Sequence, residues 1–195
     1  MKKDPYEFRL SLLKEGREVN VNHHYSIDNL RQIKVLKLAA EKSNWGAPLA
    51  SGKGRGIATY PYLHGNSYCA IVAEVSIVNK SVIVDRVVCA VDCGLVVNPS
   101  GARNQIEGGV LWGLSAVLHG GLEIQNGKAV KSNFHQHKVV RMNECPQIEV
   151  HFVEDAGDKP WGTGELANPV TVPAVLNAVY AATRQRIRRI PVALG

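Results

Sequence analysis

The sequence predicts an α+β fold, a mainly antiparallel sheet with helices packed on one side of it. Two observations carry this. Ile57 to Tyr62, Tyr68 to Val78 and Ser81 to Val91 are β-branched, partly alternating runs, and the two residues Asn79-Lys80 join the last two as a hairpin. Asp28 to Asn44 and Pro169 to Thr183 are apolar-periodic segments of helical length, and they stand before and after those runs rather than between them.

Composition narrows the function classes. The chain has 195 residues, enough for one domain or two small lobes. Hydrophobic residues make up 45% and charged residues 21%, a globular balance rather than a disordered one. No apolar run approaches the roughly 20 residues of a membrane span. The basic Met1-Lys2-Lys3 is followed by no apolar core, so it does not read as a signal peptide. A cytoplasmic location is the expectation, and periplasmic carriage inside a larger complex stays compatible with it. The net charge is +6, much of it in Arg184, Arg186, Arg188 and Arg189. Such a cluster caps a helix C-terminus favourably by itself, and no aromatics interleave with it to stack bases, so nucleic acid is not expected as a partner. Cys69, Cys89, Cys93 and Cys145 contain no C-x-x-C pair, which argues against a zinc ribbon or redox dithiol and for buried free thiols.

Taken in order, Asp4 to Leu13 reads as a short helix with Asp4 as cap and Pro5 in the first turn. Gly16 to Tyr25 is polar, and its His23-His24 pair points apart on any regular element, so a solvated loop is expected. The amphipathic helix from Asp28 ends at Gly46-Ala47-Pro48. Ala50 to Gly56 is glycine-rich but lacks the Gly-Lys-Ser/Thr ending of a phosphate loop; it reads as a turn that lets backbone come close to something. Ser100 to His119 is a helix carrying Gly101, Gly108, Gly109 and Gly113. Each interior glycine costs about 0.5–1 kcal/mol relative to alanine, so a close neighbour is expected to offset it. On this helix Gln105, Gly109, Trp112 and Ala116 share a side, and Gln105 either meets a ligand there or is an ordinary surface glutamine. Asn126-Gly127 marks a second hairpin. His135 and His137 would share a face if extended, a weak metal pair with no third ligand. Gln147 to Val153 is a further strand, and the final helix is expected to bury Val170, Pro173, Leu176 and Tyr180, with Pro173 requiring a late start or a kink. The predicted core is Ile57, Val72, Val75, Val84, Val88, Leu111, Leu114, Ile148, Val150, Leu176 and Tyr180.

The stretch with the most chemistry is Lys159-Pro160-Trp161-Gly162-Thr163-Gly164-Glu165-Leu166-Ala167-Asn168-Pro169. Gly162 and Gly164 lead into one carboxylate, Glu165, and Asn168-Pro169 reads as the cap and first position of the last helix. A carboxylate just ahead of a helix N-terminus is favoured in its ionised form and suits a general base. A surface glutamate in an ordinary loop is the competing reading.

At this point several segments, in order, resemble the molybdenum-binding large subunit of the xanthine oxidase family of molybdenum hydroxylases. They look like the branch that holds the beta subunit of isoquinoline 1-oxidoreductase and related aldehyde oxidoreductases. The segments are Asp4-Pro5-Tyr6-Glu7-Phe8-Arg9, Gly54-Arg55-Gly56-Ile57-Ala58, Ala73-Glu74-Val75-Ser76, Val91-Asp92-Cys93-Gly94 with Asn98-Pro99, Gln105-Ile106-Glu107-Gly108-Gly109, Gly162-Thr163-Gly164-Glu165 and Asn177-Ala178-Val179-Tyr180-Ala181-Ala182-Thr183. The resemblance implies a molybdopterin cytosine dinucleotide carrying molybdenum, and hydroxylation of an N-heterocycle or aldehyde with oxygen from water. It makes Glu165 the catalytic base and Gln105 a cofactor-binding residue, and it implies no protein ligand to the metal. Leu166 stands where the family commonly has proline, and Arg184 where it commonly has glycine. Family subunits are several times longer, so residues 1–195 are expected to be the carboxy-terminal portion of a molybdopterin-binding domain, a split subunit or a remnant. The expected partners are the remaining molybdenum-binding segments, an iron–sulfur subunit and a small-molecule substrate, with no cofactor and no hydroxylase activity in the isolated chain. The alternative is a non-catalytic interaction domain that keeps the fold without cofactor.

Overall fold

The computed structural model describes residues 3–13, 18–22, 25–62 and 66–195, and the His23-His24 pair lies outside them. In chain order the elements are α1 (Pro5–Leu12), β1 (Glu18–Asn22), β2 (Tyr25–Asp28), α2 (Asn29–Lys42), β3 (Lys53–Tyr62), β4 (Ser67–Val78) and β5 (Ser81–Asp92). They continue with α3 (Pro99–Leu118), β6 (Ile124–Gln125), β7 (Lys128–Ala129), β8 (Gln147–Phe152) and α4 (Asn168–Thr183). Asp28 caps α2 and Asn98 caps α3, each accepting from backbone N–H groups of the first turn. The polar stretch expected to be a loop instead holds β1 and β2, an antiparallel ribbon.

The main sheet has the order β3-β4-β5-β8. The first three strands are antiparallel neighbours, and β8 joins β5 in parallel. Asn79 and Lys80 both have positive φ, as do Asn126 and Gly127, so both predicted hairpin turns form.

Helices cover both faces of the sheet, not one. Tyr68 to Ala73 is buried at every position. A strand buried on both faces reads as a nearly continuous apolar run rather than an alternating one. Tyr68, Ala70 and Val72 pack with Val35, Leu36 and Ala39 of α2. Cys69, Ile71, Ala73 and Val75 pack on the other face with Ile106, Val110 and Leu114 of α3 and Ala174, Val175 and Ala178 of α4. Of the predicted core, Ile57, Val72, Val75, Val84, Val88, Leu114 and Val150 are buried, while Leu111, Ile148, Leu176 and Tyr180 are half-buried.

The buried stripe of α4 also differs from the expected one. Val170, Thr171, Ala174, Val175, Ala178 and Val179 face inward, and Pro173, inside the helix, faces out. The reason is how close α4 lies to β3. A Cβ on Gly56 would sit 2.1 Å from the Ala178 nitrogen, and one on Gly54 would sit 2.2 Å from the Ala178 carbonyl oxygen. Backbone meets backbone there, so the helix presents its small residues. Asn177 Nδ2 donates to the Ile57 carbonyl at 3.1 Å and fixes the register of helix on strand.

Ion pairs cross the sheet, one residue per strand. Arg55 meets Glu74 at 2.9 Å, Arg86 meets Glu74 at 3.4 Å, and Arg86 meets Glu149 at 2.7 Å. Between α3 and β8 the chain makes an excursion whose Leu122, Ile124, Phe134 and Met142 are exposed. His119 Nε2, bonded to Glu144 at 2.9 Å, ties its far end back to α3. Arg186 of the tail stacks on the Tyr180 ring at 3.7 Å, so this arginine is held by its own helix. Among the described residues no helix is long and apolar enough to cross a membrane.

Candidate functional site

The loop that carries Glu165 is fastened along its length. Gly94, at φ +67°, brings the end of β5 against it, and a Cβ on Gly94 would lie 1.9 Å from the Lys159 carbonyl oxygen. Leu95 N donates to Lys159 O at 3.1 Å, and Trp161 N donates to Cys93 O at 2.9 Å. Further on, Ser67 Oγ, at the start of β4, donates to Gly162 O at 2.9 Å. Leu166, the residue after the carboxylate, is fully buried in the core between α3 and α4. An apolar side chain there anchors the loop by burial, worth about 1.5–3 kcal/mol.

Helix α4 begins one residue earlier than expected. Its N-cap is Ala167, with no side-chain cap bond, and Asn168 is its first residue. Asn168 is therefore not the residue that caps the helix. It lines a cleft of about 250 Å³ together with Gln105, Gly108, Gly109, Trp112, Gly164 and Glu165. Gln105, Gly108, Gly109 and Trp112 lie at i, i+3, i+4 and i+7 on α3, one face of that helix. The glycines of α3 divide by role. A Cβ on Gly113 would sit 2.8 Å from Thr171 Cβ, and one on Gly109 would sit 3.2 Å from Ala167 Cβ, so these two admit the start of α4. Gly108 has nothing within 4 Å of that position and leaves the cleft wall flat and open.

Glu165 and Gln105, sixty residues apart in sequence, thus border one concave surface. The hydrogen-bond partner of Glu165 is the Tyr62 hydroxyl, which donates to Oε2. That bond, the nearby negative charge and partial desolvation push the Tyr62 phenol above its ordinary value. Sequence reasoning missed Tyr62, and no local signal marks it, because it sits 103 residues before its partner. It also missed Asn168 as a lining residue, having assigned it to the helix cap.

A larger cleft of about 750 Å³ runs along α2 and the β8 edge, lined by Lys34, Lys37, Lys42, Arg103, His151 and Glu154 among others. None of the predicted site residues faces it, and it holds no glycine-flanked carboxylate, so the smaller cleft has the better claim to chemistry. His135 falls in a single 3₁₀ turn with His137 as its C-cap, and both are exposed. Among the described residues no group of three His, Cys, Asp or Glu is arranged to hold a metal ion.

The sequence matches the family model of the molybdopterin cofactor-binding domain over residues 13–146. The chain belongs to the xanthine oxidase family of molybdenum hydroxylases. It is 36% identical over 98% of its length to the membrane-bound aldehyde dehydrogenase [pyrroloquinoline-quinone] of Gluconacetobacter polyoxogenes, of which it covers 25%. It is 34% identical over 96% of its length to the isoquinoline 1-oxidoreductase subunit beta of Brevundimonas diminuta, of which it covers 23%. The crystal structure of the aldehyde oxidoreductase from Desulfovibrio desulfuricans matches 64% of this chain with a TM-score of 0.56 at 25% identity, and 14% of that protein is covered. The chain spans about a quarter of the length of the curated relatives it matches.

The cleft's residues fit one edge of a planar polar group. The flat wall at Gly108 leaves room for a ring system, and the Gln105 and Asn168 amides offer both donors and acceptors beside it. Among the described residues no cationic side chain lines the cleft.

Proposed function

We propose that this chain supplies the base-bearing wall of a molybdenum hydroxylase active site. The reaction is hydroxylation of an N-heterocycle or an aldehyde with oxygen from water. The observation that carries the reading is the convergence of Glu165 and Gln105 on one cleft beside the open wall at Gly108. The molybdenum cofactor, proposed here in its cytosine dinucleotide form, supplies the electron-accepting centre when bound.

The chain's own residues do three things. Gln105 orients the cofactor's edge through its amide. Glu165, on a loop pinned by Trp161, Gly162 and Leu166, takes up the proton released as the water-derived oxygen becomes a nucleophile. Trp112, exposed on the rim of the same face, offers an apolar surface to an aromatic or aldehyde substrate.

The remaining molybdenum-binding segments and an iron–sulfur subunit complete the enzyme in this proposal. The outward-facing Leu122, Ile124, Phe134 and Met142 support it, since exposed apolar residues clustered on one excursion are suited to burial against further protein. Molybdopterin is favoured over the quinone in one relative's name because the matching domain is a molybdopterin-binding one.

Glu165→Gln in the assembled enzyme tests the reading. It keeps size and hydrogen bonding and removes the proton acceptor. Turnover should fall at least about 10²-fold, within the usual range for a general base, with bound molybdenum unchanged. Near-normal turnover would remove Glu165 from the mechanism.

A further inference from the structure

Among the described residues Glu165 Oε1 has no hydrogen-bond partner, while Oε2 accepts from Tyr62. We propose that Tyr62 is a positioning residue for Glu165: its hydroxyl holds Oε2 and so presents Oε1 as the proton acceptor. This rests on the assignment of Glu165 as the base.

Three observations support it. The first is the difference in rigidity between the two supports. Tyr62 is the last residue of β3, which pairs with β4 without a break from Lys53↔Ser76 to Tyr62↔Ser67. Glu165 sits on a loop, directly after Gly164. A group on a strand can therefore orient a group on a loop, and the converse is unfavourable. The second is that the same strand end holds the loop twice, since Ser67, paired with Tyr62 across β3 and β4, donates to Gly162 O. The third is the state of the phenol. The carboxylate beside it raises its titration above the ordinary tyrosine value, so the hydroxyl keeps its proton and stays a donor through the neutral range. No proton leaves Tyr62 in this scheme. The proton taken up by Glu165 arrives at Oε1, and the bond at Oε2 persists.

The coupling can be read without turnover. In the chain labelled at tyrosine Cζ with ¹³C, NMR titration should show Tyr62, identified by its loss in Tyr62→Phe, titrating above the ordinary tyrosine value. In Glu165→Gln it should titrate at lower pH, because the neutral amide no longer disfavours the phenolate. An identical Tyr62 titration in both proteins overturns the proposal. In the assembled enzyme, Tyr62→Phe should lower kcat about tenfold with KM within about twofold, a misorientation effect. The same substitution should add almost nothing in the Glu165→Gln background, because the two residues act as one unit. Full turnover of Tyr62→Phe beside a crippled Glu165→Gln removes the positioning role alone. A tenfold loss that persists undiminished in the Glu165→Gln background also overturns it, since Tyr62 would then act by another route. Near-normal turnover of Glu165→Gln marks failure of the base assignment itself, and the proposal falls with it.

Discussion

Replacing Gly56 by alanine presses one methyl group into the backbone of α4. The new carbon would lie 2.1 Å from Ala178 N, 2.4 Å from Ala174 O and 2.6 Å from the Asn177 carbonyl carbon, where ordinary contact begins at 3.4 Å. These are backbone atoms in the middle of a helix, so no side chain can rotate aside. The helix must recede from β3 by about an ångström, weakening the Asn177–Ile57 bond and the packing of Ala174, Val175 and Ala178. Overpacking of flexible neighbours costs about 1–3 kcal/mol, and the rigid case belongs at or above the upper end, about 3 kcal/mol. With a urea slope of about 2–3 kcal/mol/M, the unfolding midpoint should fall by about 1 M or more. Gly108→Ala is the matched control. It adds the same methyl group to an open helix position, and alanine is preferred to glycine in a helix by about 0.5–1 kcal/mol, so the midpoint should hold or rise. Urea unfolding followed by circular dichroism measures both. If the two variants unfold within about 0.5 kcal/mol of each other, the close approach of α4 to β3 is wrong, and with it the position of the loop that leads into α4.

Two further outcomes follow from the same structure. Arg184 terminates α4 in the left-handed region at φ 62°, donating its N–H to Tyr180 O at 2.8 Å; Arg184→Gly should stabilise the fold by about 1 kcal/mol and raise Tm by about 2–4 °C. An unchanged Tm would show that the arginine side chain offsets its backbone strain. Iodoacetamide under native conditions should modify Cys145, which is exposed, well before the other three thiols. Cys69, Cys89 and Cys93 are buried, and burial pushes each thiol up, away from the reactive thiolate. Mass spectrometry of the labelled peptides reads the order, and labelling of Cys69 at the rate of Cys145 would contradict the double-sided burial of β4.

Several features of the candidate site were legible because their signals are local or compositional. Glu165 stands out directly after the Gly162-Thr163-Gly164 run, and Gln105 shares a helical face with Gly109 and Trp112. The excess of glycine on α3 correctly signals a close neighbour at Gly109 and Gly113, though no residue count reveals that Gly108 stays open. Cys145 escaped the expectation of buried thiols because it stands in an exposed connection just ahead of β8, where no sheet or helix face covers it.

The sequence by itself determined the elements whose chemistry is contained in a few residues. Asp28 and Asn98 start helices by accepting from the first turn, and Asn79-Lys80 and Asn126-Gly127 turn the chain through positive φ. β-branched runs extend between them. These are choices between conformations of adjacent residues, and the side chains present decide them. Only the tertiary structure decided which surfaces meet. It placed α2 opposite α3 and α4 across the sheet, turned the small-residue face of α4 onto Gly54 and Gly56, and brought Tyr62 to Glu165. Each of those outcomes depends on the shape and charge of two segments far apart in the chain, and the favourable contact exists only once the intervening strands have paired.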